Sequence, residues 1–131
     1  MTQRDAPDGA GRPPKDHPVD VEVTCPDAAS ARRIARAALQ GGLVACANIL
    51  PGVESLFRWQ GRIESEAEVL LRLKTRLGAF DALAELIMRL HPYDQPAIVA
   101  LPLRALGPGV EDWLRDSISA RADEKEKGAG D

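Results

Sequence analysis

Alternating apolar and polar residues predict strands at 19–25, 53–63 and 69–73. Two further stretches, LVACANIL at 43–50 and AIVALPL at 97–103, are apolar on almost every position. Such strands need a covering layer on both faces, whereas an antiparallel strand facing water alternates cleanly. We therefore expect the sheet of this protein to be covered on more than one side.

Helical spacing of apolar residues predicts a first helix over 28–39 and a second over 77–90. Gly41-Gly42 is expected to end the first helix. The prolines of HPYDQP (91–96) are expected to end the second. A short helix is expected near 110–118, anchored by Trp113 and Leu114. We also expect Pro51-Gly52 to break or bend the chain, and a polar turn at 64–67.

The predicted order is β-α-β-β-α-β followed by a terminal helix. This is the split βαβ arrangement of an α+β, ferredoxin-like domain, in which two helices cover one face of an antiparallel sheet. We place the domain at 19–119, with polar, unfolded tails at 1–18 and 120–131. Because the strands at 43–50 and 97–103 are apolar on both faces, the uncovered face predicts a homo-oligomer.

Composition narrows the class of function. The 131 residues are 44% hydrophobic and carry a net charge of −3, which argues against nucleic acid as the main partner. No run of ~18 apolar residues suggests a membrane span, and no secretion signal is evident. With only two cysteines, Cys25 and Cys46, a disulfide framework is not expected, so the sequence predicts a reducing, cytoplasmic setting.

The familiar catalytic and nucleotide-binding motifs are absent, among them the P-loop, G-x-G-x-x-G, C-x-x-C and H-E-x-x-H. The remaining chemistry lies in a few side chains. Cys46 is either a small buried residue or a soft metal ligand. Cys25, at a helix start, is either a packing residue or a thiol activated by the helix dipole, which Asp27 opposes.

The H-P-Y-D-x-P loop holds His91, Tyr93 and Asp94 between two prolines, either as a helix stop or as a rigid site for a transition metal such as copper. Lys74-Thr75 precedes the second helix, where Thr75 is a candidate cap and Lys74 a candidate anion ligand. Simpler interpretations are an ordinary cap and a solvated lysine. The acidic stretch of Glu64, Glu66 and Glu68 is interpreted as a solvated turn in preference to a cation site, and Trp59 as a packing residue.

Seven motifs at ordered spacing carry a resemblance to a known family. They are V-T-C-P-D at 23–27, A-x-x-I-A at 31–35, L-V-A-C-A-N-I-L-P-G at 43–52, W-x-G-x-I-E at 59–64, E-V-L-L-x-x-K-T at 68–75, H-P-Y-x-x-P at 91–96 and A-L-P at 100–102. Over about 19–118 the chain resembles the CutA-type divalent-cation tolerance proteins.

The resemblance implies a non-enzymatic, ferredoxin-like homotrimer similar to PII-type signalling proteins, with a role in tolerance of copper and other divalent cations. It also implies an inter-subunit cleft, lined in this chain by Cys46, Asn48, Trp59, Lys74, His91 and Tyr93. His91, Cys46 and Asp94 are the implied metal ligands. Two positions depart from the family: Asp94 and Ala97 stand where glutamate is frequent, and Ala97 removes a carboxylate ligand.

Three other interpretations stay open beside the trimer with a metal or effector cleft. One is a copper site formed by His91 with Cys46 or Cys25. Another is an enzyme that uses Lys74, Tyr93 and His91 as acid, base or anion anchor. The last is a trimeric signalling or assembly scaffold without a metal site.

Overall fold

The computed structural model describes residues 14–120 and 122, which form a four-stranded antiparallel sheet with helices on one face. The sheet order is β2-β3-β1-β4. The elements in chain order are β1 (Pro18–Cys25), α1 (Ala28–Gln40), β2 (Cys46–Trp59), β3 (Arg62–Arg76), a 3-10 turn (Leu77–Ala79), α2 (Phe80–Leu90), β4 (Val99–Pro102) and α3 (Val110–Ser117). The predicted ferredoxin-like α+β fold with an added C-terminal helix is confirmed.

The core lies between the sheet and the first two helices. The apolar face of β1 is fully buried against α1 and α2, and its neighbours on β3 share this face. The largest fully buried apolar side chains are Ile34, Leu71, Leu73, Leu83 and Ile87. Each contributes about 1.5–3 kcal/mol through removal of its apolar surface from water. This layer fixes β1 and β3, the two central strands on which several of the candidate site residues lie.

Helix α1 begins and ends as its sequence predicts. Asp27 is the N-cap, and its carboxylate accepts from the Ser30 amide at 2.8 Å and from the Ser30 hydroxyl at 2.7 Å. After α1, Gly42 has φ +70°, and its carbonyl accepts from the Ser119 amide at 2.8 Å. A Cβ at Gly42 would lie 2.9 Å from the Ser119 Cβ, so only glycine fits this contact.

The hairpin of β2 and β3 differs from the sequence prediction. Of the two outcomes expected at Pro51-Gly52, the chain bends and does not break, because a bulge between Leu50 and Val53 lets β2 continue to Trp59. The turn predicted at 64–67 is wrong, since these residues belong to β3. The hairpin turns instead at Gln60-Gly61, both with positive φ, as type I′ hairpin turns require.

Residues 62–68 of β3 pair only with β2 in the described part of the chain. Strand β1 does not reach them, because its last residue, Cys25, pairs with Val69. Residues 53–59 and 62–68 therefore form a two-stranded ribbon that projects past the rest of the sheet. We call residues 53–68 the ribbon. Its acidic residues were mistaken for a turn because alternating charges with few apolar neighbours are also typical of solvated loops.

Smaller differences concern element ends. Strand β4 covers four residues, fewer than the predicted 97–103, and α2 is preceded by a 3-10 turn. The expected Thr75 cap is wrong, since its hydroxyl donates to the Leu43 carbonyl at 2.6 Å and the following turn has no side-chain cap. Lys74 lies within β3, three residues before the 3-10 turn.

Most of the predicted tails lies outside the described residues. Within the described part, the backbone carbonyls of Lys15 and His17 accept hydrogen bonds from Gly78 and Leu77 at 2.7 and 2.8 Å. Among the helices that the structure describes, none is both long and apolar enough to cross a membrane.

Candidate functional site

Several candidate side chains lie on the face of the sheet opposite the helices, which we call the open face. Ala47 and Ile49 pair with Leu73 and Leu71 and pack on the core, so their alternate neighbours point the other way. The open face of β2 therefore presents Cys46, Asn48 and Leu50, opposite Lys74, Arg72 and Leu70 of β3.

Cys46, Asn48 and Lys74 form one group, which we call the base cluster because it lies at the end of the sheet away from the ribbon. Cys46 is a free, half-buried cysteine whose Sγ lies 3.7 Å from the Asn48 Oδ1. Its cross-strand partner is Lys74, whose carbonyl accepts from the Ala45 amide at 2.9 Å. The cluster thus places a thiol, an amide and an ammonium side by side.

An ion pair beside the base cluster was missed by sequence reasoning. The Arg72 guanidinium donates to Asp20 Oδ2 through Nε at 3.0 Å and Nη2 at 2.5 Å, and Nε lies 3.3 Å from Glu22. Asp20 is only 1% exposed, and its Oδ1 is buried without a hydrogen-bond partner among the described residues. Alternation placed Asp20 on the polar side of β1, and only the sheet order shows that Arg72 lies on the neighbouring strand.

His91 and Tyr93 belong to a second group with Glu68 and Thr24, at the ribbon end of β1. The Tyr93 amide donates to His91 Nδ1 at 3.0 Å, which leaves Nε2 to carry the ring proton. Nε2 then donates to the Thr24 carbonyl at 2.9 Å. The His91 ring is buried and tilted against Tyr93, with ring centroids 4.8 Å apart. Both ring nitrogens are therefore occupied within the chain.

Glu68 is the acceptor at the centre of this second group, which we call the Glu68 cluster. The Tyr93 hydroxyl donates to Glu68 Oε2 at 2.5 Å. Burial opposes ionisation, but hydrogen bonds from Tyr93, Ser55 and Thr24 outweigh it and lower the pKa of Glu68. Burial, together with the bond to Glu68, raises the pKa of Tyr93. The cluster thus stabilises an ionised carboxylate beside a protonated phenol.

Glu68 was interpreted from the sequence as the end of a solvated stretch, and the structure places it 8% exposed within β3. Its signal in the sequence was its position at the start of E-V-L-L, directly before the clearest apolar face of that strand.

Cys25 is fully buried next to this group and packs in the main core. Burial raises the pKa of its thiol to about 11, and the negative charges of Asp27 and Glu68 act in the same direction. Of the two effects weighed from the sequence, the charge of Asp27 acts with burial against ionisation of the thiol, so the helix start does not activate Cys25. Cys25 is a packing residue, and it is not part of an exposed reactive site.

The base cluster and the Glu68 cluster do not meet within one chain. Glu68 and Lys74 are six residues apart on one strand, a separation of roughly 20 Å. Trp59 lies at the far end of the ribbon, 57% exposed, and Asp94 is exposed in the loop after α2. Among the residues that the structure describes, no three His, Cys, Asp or Glu side chains are arranged to hold a metal ion. A metal site within a single copy would have to use fewer ligands.

These features define the class of the protein as a ferredoxin-like α+β domain with an extended β2–β3 hairpin and polar clusters on its sheet. Residues 19–117 match the model of the CutA1 divalent ion tolerance protein family. The chain belongs to this family.

Individual relatives agree. The chain is 44% identical over 97 residues to the divalent-cation tolerance protein CutA of Thermus thermophilus, covering 74% of this chain and 94% of that one. It is 35% identical over 101 residues to human protein CutA, covering 77% of this chain and 56% of the human one. The chain thus spans about half the length of the human relative. The crystal structure of CutA1 from Oryza sativa superposes with a TM-score of 0.77 at 36% identity, covering 81% of this chain and 97% of that one.

Proposed function

We propose that this protein is a non-enzymatic homotrimer of the divalent-cation tolerance class, with clefts between subunits that bind copper, another divalent cation or a small effector. The family is the basis for the cation response. The structure of the single chain supports the assembly and the position of the clefts.

One observation carries the proposal, namely the apolar surface of the ribbon. Large side chains are exposed on both of its faces: Leu56 is 65% exposed, Ile63 71% and Trp59 57%. A two-stranded ribbon is marginal in water unless it packs on another body. Exposed apolar side chains that cluster on one element mark an interaction surface. A second copy of the chain is the simplest partner for the ribbon, because it is present wherever the protein itself is present.

The open face supports the same assembly. Leu50, Val99 and Leu101 are 37%, 49% and 42% exposed on the sheet outside the ribbon. This surface continues into the ribbon, because the register places Phe57 and Trp59 on the same side as Leu50. Packing the face and the ribbon against neighbouring copies would bury the two-sided apolar strands that the sequence showed.

Assembly would also bring together the residues that one chain keeps apart. Cys46 is the best-placed metal ligand, because it is a free cysteine on the open face, and thiolate and imidazole donors suit copper. His91 would have to give up its bond from the Tyr93 amide before Nδ1 bound a metal. Asp94 is exposed and keeps a carboxylate in the same loop. Any site built from these residues would therefore use more than one copy.

A scaffold or effector-binding role without a metal is the second candidate. It is favoured by the two occupied nitrogens of His91 and by the lack of a ligand cluster in the described part of the chain. An enzymatic role has less support. Tyr93 is adjacent to His91, but its raised pKa and its bond to Glu68 make it a poor base, and Lys74 lies at the other end of the sheet.

The experiment combines assembly with metal uptake. Light scattering across a dilution series is expected to give three chains per particle, and a stable monomer at micromolar concentration would contradict the assembly. Titration with Cu(II) and with Cu(I) is expected to show uptake that Cys46→Ala abolishes and His91→Ala weakens. Equal uptake by the wild type and Cys46→Ala would favour the scaffold instead. Cys25→Ala is the control, since Cys25 is buried in the core.

A further inference from the structure

Charges on the open face of β3 are sorted along the strand. The ribbon end carries Arg62, Glu64, Glu66 and Glu68, with more negative than positive charges, and the opposite end carries Arg72, Lys74 and Arg76. All of these residues share one face, since they are separated by even numbers of positions. The strand is therefore acidic at one end and basic at the other.

Most of these charges are compensated within the chain. Glu64 lies 3.4 Å from the Arg62 guanidinium. Glu68 accepts from Tyr93, and Arg72 is paired with Asp20 and Glu22. Among the described residues, neither Glu66 nor Lys74 forms an ion pair, because the carboxylate of Asp20, which lies opposite Lys74, is bonded to Arg72. Glu66 lies in the ribbon, and Lys74 lies towards the other end of the strand.

Glu66 and Lys74 cannot compensate each other within one chain. Eight residues of extended strand separate them, which is about 26 Å. Glu66 is exposed on the ribbon, and Lys74 is half-buried beside Cys46. Each is thus an unpaired charge next to exposed apolar surface, a combination that favours a partner surface of opposite charge.

We infer that Glu66 of one copy pairs with Lys74 of the next, so that the ribbon of each chain lies over the base cluster of its neighbour. This inference rests on the self-assembly proposed above and adds its order and its contacts. A head-to-tail contact joins unlike charges, whereas two ribbons placed side by side would bring Glu64, Glu66 and Glu68 of one copy against those of the other. Head-to-tail contacts that close on themselves form rings.

The pairing also completes the candidate cleft. The partner ribbon would carry a carboxylate to the side of Cys46 and Asn48, the residues that flank Lys74. In one chain the carboxylate next to this cluster is that of Asp20, which lies opposite Lys74 on β1 but is buried and bonded to Arg72, so the cluster has no exposed carboxylate. The ring would therefore add an exposed acidic group from the neighbouring copy.

A charge swap tests the pairing, with Glu66→Lys, Lys74→Glu and the double variant measured by sedimentation over a dilution series. Each single reversal places like charges together and is expected to raise the apparent dissociation constant of the assembly by ~10-fold or more. The double variant restores unlike charges and is expected to return to within ~3-fold of the wild type. Because the two positions are too far apart to interact within a chain, this recovery can arise only between copies.

Arg36→Glu is the matched control, since it reverses one charge on the outer surface of α1, where Arg36 is exposed. It is expected to leave assembly unchanged. A double variant weaker than either single variant, or single variants that assemble like the wild type, would overturn the pairing while leaving self-assembly intact. Weaker assembly of Arg36→Glu would indicate that copies meet through the helix layer, and this result would also overturn the pairing. A monomeric wild type would contradict the proposed function itself.

Discussion

The Tyr93 hydroxyl donates to Glu68 at 2.5 Å, which joins the loop after α2 to the strand β3. We expect Tyr93→Phe to lower the free energy of unfolding by about 1–2 kcal/mol, because a hydrogen bond to an ionised carboxylate is lost while Ser55 and Thr24 remain as donors. Urea denaturation at one fixed protein concentration measures this difference. The same substitution in a Glu68→Gln background should cost less, and an equal cost in both backgrounds would show that the bond is not the cause.

Acid should weaken the contribution of Glu68. Its pKa is lowered in the folded state, so the unfolded chain binds more protons as the pH falls. The stabilisation is therefore present above the ordinary glutamate pKa of about 4.3 and is lost as the pH drops through the lower folded value. We expect the difference in Tm between the wild type and Glu68→Gln to be largest near pH 7 and to shrink below about pH 4. A difference that stays constant from about pH 7 to pH 3 would contradict this assignment.

Loss of the Arg72 guanidinium is expected to destabilise the fold chiefly by leaving the buried carboxylate of Asp20 without its partner. Arg72→Met leaves a carboxylate that is 1% exposed without the guanidinium that pairs with it, which should cost about 3 kcal/mol of stability. Adding Asp20→Asn removes the buried charge and should recover part of this loss. Chemical denaturation of the two single variants and the double variant provides the cycle. Failure of the double variant to recover would show that Arg72 acts through its packing and not through its charge.

The two cysteines should differ sharply in reactivity. Cys25 is fully buried with a pKa of about 11, and Cys46 is half-buried on the open face. We expect iodoacetamide near neutral pH to label Cys46 at least ~100-fold faster than Cys25, because the thiolate is the reacting form. Peptide mass spectrometry separates the two sites. Labelling at similar rates in the native protein, before any unfolding, would contradict the burial of Cys25.

Gly42 should tolerate no side chain. Gly42→Ala places a Cβ 2.9 Å from Ser119 at φ +70°. Gly52→Ala has a similar φ of +80° but meets no atom within 4 Å. The φ strain alone costs about 1–2 kcal/mol, so Gly52→Ala serves as the control for the contact. We expect the larger loss of thermal stability for Gly42→Ala, and equal losses would remove Ser119 from the explanation.

Most of the fold could be predicted from the sequence, because each strand and helix has its own local pattern of apolar and polar residues. The alternation of β1 and the spacing of α1 and α2 placed the core face correctly. Only the first strand of the ribbon was predicted, within the strand expected at 53–63, because the turn at Gln60-Gly61 was not recognised and residues 62–68, with three glutamates, lack a continuous apolar face. Its length depends on where β1 stops, which is a property of the assembled sheet.

The candidate site was less predictable. The H-P-Y-D-x-P loop was recognised as rigid, and the structure adds why His91 and Tyr93 are held, since each bonds to a different strand. Glu68 and Arg72 lacked any motif of their own that pointed to a site. Their partners lie on neighbouring strands or in the loop after α2, so the pairing follows from sheet order and not from local sequence.

The bulge at Pro51-Gly52 has a consequence for comparing members of the family. The even-numbered residues of β2 lie on the open face up to Leu50, and the odd-numbered residues lie on it from Val53 onward. If alternate positions were simply counted onward from Leu50, without the extra residue of the bulge, Leu56 and Arg58 would be assigned to the open face in place of Phe57 and Trp59. Any transfer of cleft residues between relatives must therefore be counted from the turn at Gln60-Gly61, since a single gap placed wrongly would exchange the two surfaces of the ribbon.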